Sequence, residues 1–127
     1  AARTDSRLVE IDMGAWGGRY YADLAAEGAR VVDRDAGLLF PAPDGETYPE
    51  IAARVSGWLA DTAADHGDRL VIMHGISSRV LRGVMTNAAD APGYGAPSAP
   101  GLPQGSAVMI DRGIESVVHL GLGHAPA

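Results

Sequence analysis

The 127-residue chain contains no cysteine and no lysine. Without cysteine it has no disulfide framework, no thiolate nucleophile and no Cys-ligated metal site. The ten basic residues are all arginines, and sixteen acidic residues set the formal net charge at −6. This acidic balance argues against nucleic acid or an anionic membrane surface as a partner, because both are bound through a dense basic face.

Large apolar side chains are few, and long apolar runs are missing. The chain has one Phe, two Trp and four Tyr, and much of its 46% hydrophobic fraction is alanine, which buries little apolar area per residue. No run approaches the roughly 18 apolar residues of a membrane span. Ala1 to Ser6 also lacks the apolar core of an export signal. We therefore expect one cytoplasmic domain whose natural chain, lacking an initiator methionine here, begins upstream of Ala1.

The clearest helix is predicted to begin at Thr47. Thr47 and Glu50 form the T-x-x-E pattern of a capping box, in which each side chain can bond the other's backbone N–H. A mostly apolar face follows at three- and four-residue spacing, made of Ile51, Val55, Trp58, Leu59 and Thr62. The helix should end near His66, with Gly67 as its left-handed stop.

The next residues follow the order of an α/β domain. Arg69 to Met73 is a short, continuous apolar run, the pattern of a buried parallel strand. His74 and Gly75 interrupt it, and Ser77 to Met85 then has the periodicity of a helix. The order helix, strand, turn, helix predicts the α/β fold class.

The remaining segments carry weaker patterns. Tyr20 to Arg30 has helical composition, and Asp33 to Asp44 has the composition of a loop. Ser106 to Ile110 and Ile114 to Leu120 flank a turn of hairpin type. The long stretch from Thr86 to Gly105 contains four prolines and four glycines, and is either a functional lid or simply mobile.

His74 is the strongest local candidate for chemistry, because it follows the apolar run and precedes a helix. Ligands of α/β sheets bind beyond the carboxyl ends of strands, where the N–H groups and positive end of the next helix attract an anion. Gly75 would allow a close approach of backbone and ligand. A half-buried structural histidine that ends a strand is an equally good interpretation of this pattern.

Glu10 lies inside the strand-like run Leu8 to Ile11. A surface position at a strand edge would explain it. A role as general acid would require the carboxyl to keep its proton near neutral pH, and burial beside an anionic phosphate favours the protonated form. Glu46, one residue before the capped helix, fits a structural role better than a contact to an active site.

Other polar residues offer less. Arg79 and Arg82 follow His74 on the same helix and are expected to face solvent rather than to bind a phosphate. His66, His119 and His124 show no metal-ligand spacing with a carboxylate. We therefore expect no metal and no cofactor.

Four blocks in this order resemble the histidine phosphatase superfamily, whose fold is phosphoglycerate-mutase-like. Leu8 to Gly18 is similar to the family's L-x-E-x-x-x-G-x-W-E-G block, and Pro43 to Thr47 to its P-x-G-E-S/T turn. Val71 to Gly75 looks like the strand that ends in V-x-H-G, and Leu102 to Ser106 like the L-P-N-G-S turn. The resemblance implies a three-layer α/β sandwich. Residues 1–127 would be roughly the C-terminal two-thirds of that single domain.

The resemblance also implies a mechanism. A histidine of an N-terminal R-H-G motif attacks phosphorus and forms a phosphohistidine. By position, Glu10 would protonate the leaving oxygen and later activate water. His74 would hold phosphate oxygens, aided by the Gly75 N–H. Catalysis of this kind consists mostly of in-line positioning and charge stabilisation.

The chain departs from the family pattern in two places. No R-H-G occurs in it, so the nucleophile, its arginine and the first strand of the sheet are expected in an N-terminal segment outside these residues. The chain alone is then expected to be inactive. Gly17 also replaces the glutamate of W-E-G, which affects a structural contact more than the chemistry.

Three functions stay open at this point. The first is hydrolysis of a small phosphorylated substrate, and the second is isomerisation of the phosphoglycerate-mutase type. The third is a non-catalytic, truncated interaction module that forms a homodimer to cover its exposed sheet edge. The sequence shows no mutase-type insertion, which favours hydrolysis.

Overall fold

A computed structural model describes residues 2–123. Three α-helices form, α1 (Tyr21–Ala26), α2 (Tyr48–Thr62) and α3 (Gly75–Met85). Four short strands form two antiparallel pairs, β1 (Val32–Asp33) with β2 (Leu38–Leu39) and β3 (Ala107–Asp111) with β4 (Ile114–His119). Two single 3₁₀ turns, Ser6–Leu8 and Gly14–Trp16, precede α1.

Helix α2 begins where the sequence predicts. The Thr47 side chain accepts from the Glu50 N–H, and the Glu50 carboxylate accepts from the Thr47 N–H at 3.2 Å, which confirms the capping box. The helix ends at Thr62, a turn before the predicted end. Its last turn closes with a hydrogen bond from the Ala63 N–H to the Ala60 carbonyl, three residues earlier. Gly67 has the expected left-handed φ of +90°, but it lies beyond this closing turn.

The core lies between α2 and α3. The predicted apolar face of α2 is buried, with Ile51 and Val55 fully inaccessible and Trp58 nearly so. Helix α3 contributes Val80 and Leu81, as its periodicity predicts. These large side chains pack on both helices, so the two helices are held as a unit that carries the start of α3 in a fixed position.

The strand predicted for Arg69 to Met73 is wrong in the described structure. Leu70 and Ile72 are each 87% exposed, whereas Val71 and Met73 are partly buried and pack against the core. The physical reason is that a parallel strand exists only by pairing, and no other segment of residues 2–123 pairs with this one. The strand-like run at Leu8 to Ile11 also forms no strand; a 3₁₀ turn leads into it.

The carboxyl-terminal hairpin confirms the predicted turn. Asp111 pairs with Ile114, and Arg112 and Gly113 between them both have positive φ, 52° and 78°. Two central residues with positive φ make the type I′ turn, which matches the twist of antiparallel strands. The segment at 33–44, expected as loop, contains the end of β1 and all of its partner β2 instead.

The long loop at 86–105 is packed onto the core. Tyr94, Ala96 and Ala99 are buried, and the Tyr94 hydroxyl donates to the Asp33 carboxylate at 2.6 Å. The Ala99 N–H donates to the Arg79 carbonyl at 2.9 Å. These contacts contradict the prediction that the loop is simply mobile. The alternative, that the loop is a functional lid, stays a prediction.

The described residues therefore form a small α/β structure in which both strand pairs are antiparallel. No helix within residues 2–123 is long and apolar enough to cross a bilayer.

Candidate active site at the start of helix α3

The carboxylate of Glu10 lies on the amino-terminal end of α3. It accepts the N–H of Ile76 at 3.0 Å and the N–H of Ser77 at 2.7 Å. The first intrahelical bond of α3 is made by the Ser78 N–H, so these two N–H groups have no acceptor within the helix. A carboxylate contributed from 66 positions upstream therefore occupies the positive end of the helix.

His74 is the residue immediately before α3. Its backbone is extended, its carbonyl accepts from the Ser78 N–H at 3.0 Å, and its exposed side chain makes no capping bond. The structure thus brings Glu10 and His74 to the same end of the same helix, although the two residues are far apart in the chain.

Gly75 opens the helix between them. Its φ is negative, so the turn does not require glycine for its backbone conformation. A side chain built there would meet one group within 4 Å, the Glu10 carboxylate, at 4.0 Å. Within residues 2–123 the Gly75 N–H donates to no acceptor. Glycine at this position therefore leaves open space beside the N–H. It is not needed for a left-handed turn.

Ser77 was not anticipated from the sequence. The residue is fully buried, and its hydroxyl has no hydrogen-bond partner among the described residues. Its backbone N–H makes the shorter of the two bonds to Glu10. Sequence offers one signal for such a contact: the first turn of any helix has free N–H groups, and an anion near that end is to be expected.

Glu46 lies beside Glu10's segment and not on α3. Its carboxylate pairs with Arg54 of α2 at 2.7 Å, a structural contact that the sequence pattern does not predict. The P-D-G-E-T turn that carries it also contacts the first sequence block. Gly14, with φ +47°, packs so closely on this turn that a Cβ would lie 2.3 Å from the Pro43 carbonyl oxygen. Two of the four blocks therefore meet in space.

Arg79 and Arg82 are engaged elsewhere. Arg79 donates to the carbonyls of Ala99 at 2.8 Å and of Gly37, and its partial burial holds the pKa of the guanidinium below its usual value. Arg82 pairs with Glu115 of β4 at 2.5 Å. Both arginines tie α3 to neighbouring segments.

Two cavities of the described residues are lined by neither Glu10 nor His74. One of about 330 Å³ is lined by Arg79, Asp90 and small residues of the 86–105 loop. Another of about 360 Å³ lies beside α1 and β1. Within residues 2–123, no three His, Asp or Glu side chains converge as a metal site would require, and His124 lies outside the described residues. At the start of α3, His74 and Gly75 are exposed and Glu10 is half-buried.

A family model described as histidine phosphatase superfamily (branch 1) matches residues 1–97. This chain belongs to the histidine phosphatase superfamily. No curated protein and no solved structure matches it.

The superfamily match covers three of the four sequence blocks, those that contain Glu10, Glu46 and His74. Membership supports phosphatase or mutase chemistry in general. The block at Leu102 to Ser106 lies beyond the matched residues, so its resemblance remains a prediction.

Proposed function

We propose that this histidine phosphatase domain hydrolyses small phosphomonoesters through a phosphohistidine intermediate, at a site on the start of α3. The observation that carries the proposal is the Glu10 carboxylate bonded to the N–H groups of Ile76 and Ser77 beside His74. The exposed His74 imidazole and the Gly75 N–H lie at the positive end of α3, which suits a phosphoryl group.

His74 and Gly75 would hold the phosphate. The His74 ring N–H and the Gly75 N–H supply two donors, and the dipole of α3 adds favourable charge from the same side. His74 is exposed and its imidazole caps nothing, so its side chain is available for a ligand. Donors fixed before the reaction stabilise the charge that develops on the equatorial oxygens.

Glu10 would act as general acid and then as general base. Its carboxyl protonates the oxygen of the leaving alcohol as the phosphorus–oxygen bond breaks, and later removes a proton from the water that attacks the phosphohistidine. A positioned acid of this kind contributes roughly 10²–10⁴ in rate. The bonds to α3 support the position of the carboxyl, because they keep it beside the helix end that attracts the phosphate.

The nucleophile in this proposal is the histidine of an R-H-G motif in an N-terminal segment outside these 127 residues. The same segment would supply the strand that pairs with 69–73 and completes a three-layer phosphoglycerate-mutase-like sandwich. The exposure of Leu70 and Ile72 supports this part of the proposal, because helices on the faces of a completed parallel sheet would cover both side chains. We expect the 127-residue chain alone to be inactive.

The test uses the full natural polypeptide that contains this chain. His74→Ala is expected to reduce phosphatase turnover by about 100-fold or more without unfolding the protein, since it removes a donor to the transition state. His66→Ala is the control, because His66 is an exposed histidine that lies beyond the end of α2. Equal losses in the two variants would contradict the proposal.

The intermediate is tested separately. Rapid quenching of the full polypeptide with a ³²P-labelled substrate should trap an acid-labile, alkali-stable label on one histidine. Label that appears in inorganic phosphate identifies a hydrolase, and label that returns to a second substrate position identifies a mutase. Turnover without any protein-bound label would exclude the phosphohistidine.

A further inference from the structure

Glu46 and Arg54 form a shielded ion pair outside the proposed site. The Arg54 Nε donates to Glu46 Oε2 at 2.7 Å, and Arg54 Nη2 donates to Glu46 Oε1 at 3.0 Å. The two side chains are only 16% and 14% exposed. A bidentate pair of this kind fixes both distance and orientation, which a single bond does not.

Each member of the pair also holds the backbone around Glu10. Arg54 Nη1 donates to the Arg7 carbonyl at 2.7 Å, and Nη2 lies 3.4 Å from the Glu10 carbonyl. On the other side, the Glu46 N–H donates to the Asp12 carbonyl at 2.9 Å, and Glu46 Oε1 accepts the Asp12 N–H at 3.3 Å. Glu10 therefore sits in the middle of a backbone segment that is bonded at both ends.

This segment has no secondary structure to hold it. Residues 9–13 form neither helix nor strand, so their backbone groups are not fixed by a regular hydrogen-bond ladder. Arg54, in contrast, lies on α2 between the fully buried Ile51 and Val55. The core holds helix α2 rigidly, and the ion pair fixes the Glu10 segment relative to this helix.

We infer that the Glu46–Arg54 pair is the element that positions Glu10 against the start of α3. Glu46 and Arg54 are positioning residues: they touch the backbone of the Glu10 segment and not the reacting atoms. The catalytic consequence rests on the proposed function, but the structural one does not. If the pair is broken, the Glu10 carboxylate should spend less time on the N–H groups of Ile76 and Ser77.

A second ion pair provides a matched control. Arg82 and Glu115 are joined at 2.5 Å, with side chains 11% and 20% exposed, and they connect α3 to β4. The change Glu115→Gln removes the same charge from a pair of similar burial. This change alters no contact of the Glu10 segment. A general loss of stability would therefore appear in both Glu115→Gln and Glu46→Gln.

The first measurement is amide hydrogen exchange in the 127-residue chain. In Glu46→Gln, the Ile76 and Ser77 amides are expected to exchange about tenfold faster relative to Val80, because they lose the acceptor that Glu10 provides. Arg54→Lys should do the same, since the single nitrogen of an ammonium lacks the planar fork through which Arg54 makes its four contacts. Arg54→Lys also provides a second test of the pair if the Glu46→Gln variant folds poorly. Unchanged ratios in Arg54→Lys, or equal changes in Glu115→Gln, would overturn the inference.

The second measurement is turnover of the full natural polypeptide. Displacing an acid by about 1 Å lowers its rate contribution by as much as 10²-fold. Glu46→Gln should therefore lower kcat more for an alkyl phosphate than for p-nitrophenyl phosphate, whose leaving group needs little protonation, and should change KM little. A loss that is equal for both substrates would contradict the positioning role. An inactive wild-type polypeptide would instead refute the proposed function and leave the exchange result standing.

Discussion

Replacing Glu10 by glutamine tests how the candidate site is built. Glutamine keeps the length of the side chain and one acceptor oxygen, but it carries no charge. The Glu10 carboxylate uses one oxygen for the Ile76 N–H and the other for the Ser77 N–H. Glutamine keeps an oxygen at only one of these two positions and places an NH₂ group, which cannot accept, at the other. One N–H at the start of α3 is therefore left without a partner.

The magnitude follows from these two losses. An unpaired, poorly solvated N–H costs about 1 kcal/mol or more, and removal of a negative charge from a helix amino terminus costs about 0.3–1 kcal/mol. The free energy of unfolding should fall by about 1–2 kcal/mol. For a chain of 127 residues this corresponds to a decrease in Tm of about 3–10 °C.

Thermal and urea unfolding, followed by tryptophan fluorescence, measure this difference. Glu27→Gln is the control, because it removes the same charge from an exposed pair with Arg19 and should change stability by less than about 1 kcal/mol. An increase in Tm for Glu10→Gln, or a change no larger than that of the control, would refute the capping role of Glu10.

Inorganic phosphate extends the same test to function. Glu10→Gln removes an anion from the helix end where the phosphate is proposed to bind, and like charges at one site repel each other. A ligand that binds the folded chain raises its Tm by mass action. Phosphate should therefore raise the Tm of Glu10→Gln more than that of the wild-type chain, and equal increases would count against a shared site.

Three further changes test the fold that carries the site. Tyr48→Phe should cost about 1–3 kcal/mol in urea unfolding, because it leaves the Leu39 N–H and carbonyl, bonded to the hydroxyl at 3.1 and 2.7 Å, without a partner; no loss would contradict the bonds. Burial raises the pKa of Tyr48 to about 12, so its contribution to stability should be complete below pH 10 and lost between pH 10 and 12. Wild type minus Tyr48→Phe should show this decline, and a flat difference would refute it. Gly83→Ala should lower the Tm because its Cβ would lie 2.7 Å from the Ser98 nitrogen. Gly57→Ala in α2 should raise the Tm, because its Cβ would make only an ordinary contact, 3.9 Å from Arg7 Nη1; similar shifts in both would be inconsistent with this packing.

Much of the helical structure could be predicted because its determinants are local. Thr47 and Glu50 form a capping box within four residues, and the apolar face of α2 follows a regular period. The hairpin turn at Arg112 and Gly113 is local in the same way. The end of α2 was placed too late, because Gly67 lies beyond a turn that had already closed at Ala63.

Strands were harder to predict, because a strand depends on a partner that its own residues do not specify. Arg69 to Met73 has the composition of a buried strand, yet Leu70 and Ile72 are exposed in the described structure. The short β1–β2 pair was missed for the opposite reason. Two residues per strand, Val32–Asp33 and Leu38–Leu39, are too few for an alternating pattern to be visible.

The candidate site could be predicted only in part. The expectation that Glu10 and His74 share a region came from the order of motifs, and the structure brings both to the start of α3. Arg54 and Ser77 were missed as contributors, because their contacts to the Glu10 segment join positions more than 40 residues apart. The roles of Glu10, His74 and Gly75 in catalysis stay predictions.

An NMR titration of the 127-residue chain with inorganic phosphate tests the central claim most directly. We expect saturable shifts of the Gly75 and Ile76 amides and of the His74 ring, with weaker binding in His74→Ala. Shifts confined to the arginines and to the other histidines would show that phosphate does not bind at the start of α3. Equal affinity in His74→Ala would show the same.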